Sequence, residues 1–548
     1  MYARIKQSGS RRYLQLVEGH RNAAGQVRQR VVATLGRIDQ LQNGALDALI
    51  AGLQRAAGHA SLSAQPEFLA AQAFGHVYLL HELWQSLGLE AALAQAMRSS
   101  RRKFDAPALI RTMVFNRLCE PSSKLGVLRW LDTVSLPGAP AAISHDHLLR
   151  AMDALMDHID AVEAAVAAQL RPLLDSSLSV VFYDLTTIRI HGTGTVAEDV
   201  RAFGLNKETG GIARQFVLGV IQTADGLPIA HEVHAGNIGE VSTLLPAIEK
   251  AIGRYAIDRV VLVADRGLLS LDNLEAVEAL KTATGHGVEY ILAVPARRYG
   301  DFAEVVAAAA FDQANVGETT WQTRRLVIAH DPVRAEEQHA KRRKTIEEIE
   351  ADGERKAKRL DAVEEGKRVR GRKSSDRRAY LSFCEQVKKA GLSRILKADL
   401  NADRFSFHRD EAALNDAERL DGKLLLVTNT KLKAQDVIDR YKALADIERG
   451  FRVLKSDIEI APVHHRLPER IRAHALICFL ALVIHRVMRS KLKAAGSEHS
   501  PTAALRLLQT IQRHRVNVGN DTLHGINAPD PIQLQLFAAL DTKAPPTR

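Results

Sequence analysis

Residues 179–190 read SVVFYDLTTIRI, and this stretch decides how the remaining sequence is interpreted. Its β-branched and aromatic residues are typical of a strand that is buried on both faces. Asp184 interrupts the apolar run in its middle. Burying a carboxylate is costly unless positive charge lies beside it. We therefore interpret Asp184 as a ligand of a divalent metal ion.

Two later carboxylates are candidate partners for Asp184. Asp265 ends a second apolar run, VVLVADRG at 260–267, and Glu448 lies in YKALADIERGFRVLK at 441–455, which predicts a helix. Asp265 falls where its strand ends, the carboxyl edge at which open α/β sheets place their sites. We expect Asp184 to bridge two metal ions, and Asp265 and Glu448 to bind one each.

Carboxylate ligands of this kind indicate Mg²⁺, with Mn²⁺ as a substitute. Two Mg²⁺ ions held about 3.5–4 Å apart activate a water or a 3′-hydroxyl and stabilise the leaving oxygen during in-line attack on phosphorus. The three carboxylates therefore predict a site that cuts and joins phosphodiester bonds. The composition agrees with a polyanionic partner, because 75 Lys and Arg exceed 64 Asp and Glu and give a net charge of +11.

The predicted Glu448 helix can present its charged residues on one side. At about 100° per residue, a narrow stripe contains Tyr441, Glu448, Arg452 and Lys455. The apolar side chains of Ile447, Phe451 and Leu454 fall on the adjoining face. We expect Arg452 and Lys455 to neutralise phosphates beside the reacting bond.

Each carboxylate also has an ordinary structural explanation. Asp184 could be a strand-end carboxylate, and Asp265 could cap the following helix. Glu448 could form an exposed pair with Arg452 at i+4. The three residues together are more specific than any one of them, and they explain why carboxylates occur within apolar surroundings.

These residues resemble those of the DDE transposases of bacterial insertion sequences, in the branch with a ribonuclease H-like core and a large insertion before the last catalytic residue. The Glu helix of that branch carries Tyr-x2-Arg-x3-Glu-x6-Lys. Here Tyr441, Glu448 and Lys455 are in register, and Leu444 replaces the arginine. The resemblance extends from about 178 to 490 through YDLTT, ADRG, ERGFRVLKS and HHRLPERIRAHALICFLAL.

The resemblance implies that Asp184, Asp265 and Glu448 form the catalytic triad. It also implies that Tyr441 and Lys455 contact DNA near the cut, and Arg266, directly after Asp265, is a further candidate contact. The implied activity is metal-dependent cleavage at transposon ends, followed by attack of the freed 3′-hydroxyl on target DNA. Two alternatives stay open: a ribonuclease H-like nuclease without strand transfer, and a catalytically silent, domesticated DNA-binding protein.

The predicted fold class is α/β, a ribonuclease H-like mixed sheet flanked by helices, with a mainly helical N-terminal region and an insertion domain inside the catalytic core. We expect these divisions: a small basic β-rich segment at 1–60, a helical domain that binds the DNA ends at 61–175, the first part of the core at 176–300, an insertion domain with a solvated, charged helical arm at 301–420, the second part of the core at 421–495, and a C-terminal helix and tail at 496–548.

The expected partner is double-stranded DNA, both terminal inverted repeats and target, bound by a homodimer. The scattered Cys119, Cys384 and Cys478 form no CxxC pair, which fits a reducing cytoplasm and association with the nucleoid. The N-terminus lacks the apolar segment of a secretory signal. The longest apolar run, at 475–484, is about half the roughly 20 residues that span a bilayer. It predicts a core helix and no membrane association.

Overall fold

The computed structural model describes the chain except residues 23–25, 42–43, 59–65, 100–102, 141, 175–178, 193–198, 207–209, 256–258, 265–270, 283–284, 310, 312–314, 367–374, 402–403, 519–520 and 547–548. Of residues 179–180, 240–241, 271–273, 297 and 445–449 it describes the backbone only.

The N-terminal segment forms a three-stranded antiparallel sheet followed by a helix. The strands, in the order β1-β2-β3, and the helix are β1 (Tyr2–Ser8), β2 (Arg11–Arg21), β3 (Val27–Arg37) and α1 (Ala45–Ala56). Two irregularities in the pairing of β2 with β3 each add a residue to β3, so β2 alternates regularly between the two faces.

A mainly helical region follows. Its elements are β4 (Glu67–Ala73), α2 (Gly75–Ser86), α3 (Leu89–Ala96), α4 (Ala106–Cys119), α5 (Lys124–Thr133), α6 (His145–Asp157) and α7 (Ile159–Leu170). The side chains of Asp105, Ser123 and Ser144 each accept a hydrogen bond from a backbone N–H three residues later, which fixes where α4, α5 and α6 begin.

A mixed sheet of nine described strands forms the centre of the molecule, and the predicted α/β fold is confirmed. The strand order is β11-β12-β15-β10-β9-β5-β7-β6, and β8 also pairs with β7. β5, β9 and β10 are parallel, and the remaining pairings are antiparallel. The strands are β5 (Ser179–Arg189), β6 (Ala202–Leu205), β7 (Ile212–Thr223), β8 (Pro228–Ala235), β9 (Val260–Ala264), β10 (Glu289–Ala293), β11 (Val316–Trp321), β12 (Arg324–His330) and β15 (Lys423–Thr428).

Helices cover both faces of this sheet. One face packs against α8 (Leu244–Arg254) and α9 (Leu271–Ala279), and α10 (Ala303–Ala307) lies near its β11 end. The other face packs against α14 (Ala434–Lys442), α15 (Leu444–Ser456) and α16 (Pro468–Ala494). The helices of the N-terminal region share the hydrophobic cluster of α15 and α16, and α4 and α6 pack onto α16, which covers the second face.

The segment between β12 and β15 builds a subdomain with its own core. It comprises α11 (Pro332–Glu364), α12 (Asp376–Lys389), β13 (Leu396–Asn401), β14 (Arg404–Arg409) and α13 (Glu411–Arg419). Ile346 and Ile349 of α11 are buried against Phe383 and Phe405. The charged helix is therefore packed along one side, which differs from the solvated arm that its few apolar residues predict.

The C-terminal elements complete the helical layer around α16. They are α17 (Pro501–Leu508), β16 (Gln512–Val518), β17 (Asp521–Ile526) and α18 (Pro531–Ala539), and β16 joins β17 to β4. By length and composition α16 is apolar enough to cross a membrane, but 94% of its most apolar window is buried inside the protein. The helix behaves as the core helix that the sequence predicts.

Candidate active site

Asp184 lies in the middle of the central strand β5 and is half-buried. Residues alternate along a strand, so Asp184 shares a face with Phe182 and Ile188, each of which is fully buried. These two neighbours belong to different hydrophobic clusters, on the face that α14, α15 and α16 cover. Asp184 therefore occupies the boundary between two apolar cores, and its Oδ1 accepts a hydrogen bond of 2.7 Å from the backbone N–H of Leu185.

The parallel neighbour β9 ends beside this position. The register of β5 with β9 runs from Ser179 opposite Val260 to Tyr183 opposite Ala264. Asp184 and Asp265 are the next residues of the two segments in sequence. Asp265 and Arg266 themselves lie outside the described residues.

The predicted single helix around Glu448 is wrong, because two consecutive helices occupy the segment. α14 ends at Lys442, Ala443 has a ψ of −16°, and α15 begins at Leu444. An α-helix has a ψ near −42°, so the turn at Ala443 interrupts the regular geometry. The half-buried Tyr441 therefore belongs to α14, apart from the stripe predicted for it with Glu448. Tyr441 packs against the same cluster as Leu444 at the start of α15, whereas Phe451 and Leu454 farther along α15 pack in another cluster.

α15 packs against β5. Position 448 lies one turn after Leu444 and one turn before Phe451, and both of these residues are buried beneath the helix. The side chain of Glu448 is outside the described part of the structure. Farther along α15, Arg452 is exposed and Lys455 is half-buried.

A polar contact that the sequence did not predict lies on the same face of the sheet. Gln222 on β7 is opposite Phe182, is fully buried, and has no hydrogen-bond partner for either amide atom among the described residues. A Cβ added to Gly450 of α15 would lie 2.9 Å from Gln222 Oε1. The buried Arg486 of α16 meets Gln222 and Gly450 at the same point, because its Nη2 would also lie 2.9 Å from that Cβ. Its sequence signal is an arginine two residues after the end of a long apolar run, and that signal was missed.

The described side chains contain no group of three or more His, Cys, Asp or Glu residues placed to hold a metal ion. This search covers Asp184 but not the side chains at 265 and 448. The half-buried carboxylate of Asp184 offers the hard oxygen that Mg²⁺ prefers, and the unsatisfied amide of Gln222 makes the surrounding core polar. The chemistry of these described residues fits a divalent cation.

Comparison with known families gives two matches. Residues 175–484, more than half of the chain, match the family described as Transposase DDE domain. Residues 3–66 match the family described as IS1634 family transposase, N-terminal domain. No curated protein matches the chain. Among solved structures, the chain is similar to a piggyBac transposase synaptic complex with hairpin DNA, at a TM-score of 0.38 and 8% identity over 79% of each chain.

Proposed function

Because the chain belongs to the DDE transposases of insertion sequences, we propose that Asp184, Asp265 and Glu448 hold its catalytic divalent metal ions. The observation that carries this assignment is the position of Asp184 on the central strand, beside the end of β9 and beneath α15. These three elements are the ones that carry the proposed ligands. Mg²⁺ is the expected ion, and Mn²⁺ is a substitute.

We further propose that the sheet is ribonuclease H-like. The strand order β8-β7-β5-β9-β10 supports this proposal. β5, β7 and β8 form an antiparallel meander, and β9 and β10 continue the sheet parallel to β5. The subdomain between β12 and β15 then lies as an insertion between the second and third ligands. In this arrangement β11 and β12 belong to the central sheet, so the insertion lies between His330 and Lys423 and is shorter than the 301–420 that the sequence predicts.

The bound ions supply Lewis-acid activation of a water or 3′-hydroxyl and stabilisation of the leaving oxygen. The protein's own contribution is rigidity, because the ladder on both sides of β5 holds Asp184 at one position. Arg452, Lys455, Tyr441 and Arg266 are proposed to contact the DNA backbone beside the cut. Such contacts position a duplex and carry no sequence information themselves.

The test uses the full chain and DNA that carries the inverted repeats flanking its gene. Asp184→Asn, Asp265→Asn and Glu448→Gln should each abolish Mg²⁺-dependent strand cleavage while the variants still bind the end DNA. Asp225→Asn is the matched control, because Asp225 lies exposed in the turn between β7 and β8. Cleavage retained in any of the three site variants contradicts the assignment.

Strand transfer and assembly are measured in the same system. Joining of labelled end DNA to a plasmid is the expected result for a transposase, whereas cleavage without joining indicates a nuclease. We propose that the protein acts as a homodimer on paired ends in the cytoplasm, associated with the nucleoid. Two protomers per pair of ends in a sedimentation experiment is the expected stoichiometry.

A further inference from the structure

Gln222 of β7 is a polar side chain inside the hydrophobic core beneath α15. It is fully buried, and neither its Oε1 nor its Nε2 has a hydrogen-bond partner in the part of the chain that the structure describes. The other residues that β7 turns to this face, Phe216, Leu218 and Val220, are buried and apolar. Native proteins hydrogen-bond the large majority of their buried polar groups, and an amide without a partner costs stability. An apolar side chain of similar length would therefore pack more stably at this position.

Gln222 lies next to Asp184 on the same face of the sheet. In the register of β5 with β7, Gln222 is opposite Phe182 and Asp184 is opposite Val220. The two residues are thus diagonal neighbours on adjacent strands, and the Cα atoms of such neighbours lie about 7–8 Å apart. An element that packs on Gln222 therefore lies beside the proposed metal ligand.

α15 is the element that covers both positions. Its Leu444 packs in the cluster that contains Phe182, and its Phe451 packs in the cluster that contains Val220. The helix therefore crosses the face of the sheet from one cluster to the other. Glu448 belongs to the turn of the helix between these two contacts.

The contact of α15 with β7 is polar and contains no apolar side chain of the helix. A Cβ added to Gly450 would lie 2.9 Å from Oε1 and 3.0 Å from Nε2 of Gln222. Arg486 of α16 is buried against the same glycine, and its Cζ would lie 3.5 Å from a Cβ on Gly226 in the turn between β7 and β8. At this point α15 rests on two polar groups, where interdigitating apolar side chains would fix it more firmly.

We propose that Gln222 is a positioning residue for Glu448 and acts through α15. Its unsatisfied amide disfavours the described position of the helix relative to a shifted one in which the amide is hydrogen-bonded. Satisfying a buried amide favours the second position by about five- to 150-fold. The turn at Ala443 separates α15 from α14, so α15 can shift alone. The inference rests on the proposed function, because Glu448 is the ligand that the shift adjusts against Asp184.

The experiment compares Gln222→Met with wild type in the full chain. Methionine keeps the length of the side chain and removes both polar atoms. Gln215→Met is the matched control, because Gln215 lies on the same strand and is 1% exposed but has a satisfied amide. This amide donates to the carbonyl oxygens of Leu205 and Gly236 and accepts a hydrogen bond from Asn206. Gln215 also faces the side of the sheet opposite to Gln222.

Two measurements need no catalysis and are made in EDTA. The urea midpoint of Gln222→Met should rise, and that of Gln215→Met should fall. The backbone amides of α15, followed by hydrogen exchange and mass spectrometry, should exchange at least about fivefold more slowly in Gln222→Met and at the wild-type rate in the control. A lower midpoint for Gln222→Met overturns the proposal, because it would mean that the amide is satisfied in the folded protein.

Cleavage of end DNA is the third measurement. At saturating Mn²⁺ and DNA, Gln222→Met should cleave at least about fivefold more slowly than wild type. Its affinity for the same DNA in EDTA should stay that of wild type, because the substitution is buried and changes no surface charge. A raised midpoint with wild-type cleavage overturns the proposal, since Gln222 would then be only a buried polar group. Slow cleavage with unchanged exchange in α15 also overturns it, because the effect would not pass through the helix.

The proposed function and this inference can fail separately. Cleavage retained in Asp184→Asn or Glu448→Gln contradicts the assignment of the carboxylates, whatever Gln222→Met does. Loss of cleavage in both carboxylate variants, together with wild-type cleavage in Gln222→Met, contradicts only the positioning role of Gln222.

Discussion

Gly450 on α15 lies directly against Arg486 on α16, so close that a Cβ on Gly450 would stand 2.9 Å from Arg486 Nη2. The contact draws the helix that carries Glu448 onto the sheet face that carries Asp184. A side chain at this position would require the buried ends of Arg486 and Gln222 to shift.

Gly450→Ala should therefore destabilise the protein by about 1 kcal/mol, because overpacking of the buried Gln222 and Arg486 outweighs the gain in helix propensity. Gly253→Ala is the matched control, since Gly253 lies in α8 with nothing within 4 Å of an added Cβ. It should stabilise the protein by about 0.5–1 kcal/mol. Urea unfolding measures both changes, and a gain from both substitutions would disprove the tight contact.

Leu444→Arg should destabilise the protein by about 3 kcal/mol or more, because the new guanidinium would be buried without a partner. Leu444 is 5% exposed and packs in the same cluster as Phe182 and Val437. The arginine of the related signature at this position is thus replaced by a core residue. Leu444→Met should cost less than about 1.5 kcal/mol. If the Leu444→Arg protein instead is as stable as wild type and binds DNA more tightly, residue 444 faces the duplex and not the core.

Features of the fold that depend on neighbouring residues were predictable from the sequence, and contacts between distant segments were not. The strand around Asp184 was predictable, because its β-branched run describes burial on both faces. The break at Ala443 was not, because no helix-breaking residue marks it in the sequence. The segment packs in one cluster up to Leu444 and in another from Phe451 onward. The convergence of Gln222, Gly450 and Arg486 joins three segments far apart in sequence, and no local pattern records it.

The core of the insertion subdomain likewise depends on contacts between distant segments that the sequence alone did not reveal. Ile346 and Ile349 were recognisable as the apolar anchors of α11, but their partners Phe383 and Phe405 lie on elements that the sequence did not resolve. The charge density of α11 predicted a solvated arm with most of its circumference in water. Burial of one stripe follows from tertiary packing, which composition does not report.

Arg342→Ala should loosen the attachment of this subdomain to the sheet. Both terminal nitrogens of the Arg342 guanidinium donate to Asp421, which is 5% exposed and lies two residues before β15. His339 lies 3.1 Å from the same carboxylate. Removing the arginine leaves a buried carboxylate with a weaker partner, at a cost of about 2 kcal/mol or more. Lys358→Ala removes an exposed pair with Glu354 and should change stability by less than about 1 kcal/mol. Equal melting temperatures for the two variants would contradict the role of the Asp421 contact.

Acid should destabilise the fold through buried neutral histidines. Burial lowers the pKa of His76 and of His485 to about 4, and it lowers the pKa of His474 well below its ordinary value. The unfolded chain binds these protons near pH 6.5 and the native protein does not, so the unfolding free energy is unaffected above pH 6.5 and falls as the pH drops toward 4. At pH 5 each such histidine costs about 2 kcal/mol.

His76→Leu removes one of these groups, and His76 has no hydrogen-bond partner for either ring nitrogen among the described residues. Relative to wild type, the variant should gain stability progressively between pH 6.5 and pH 4, as measured by urea unfolding at several pH values. His499→Gln, at an exposed position, should leave the pH profile unchanged. A pH profile of His76→Leu parallel to that of wild type would mean that His76 is protonated in the native protein, and that its surroundings accept the charge.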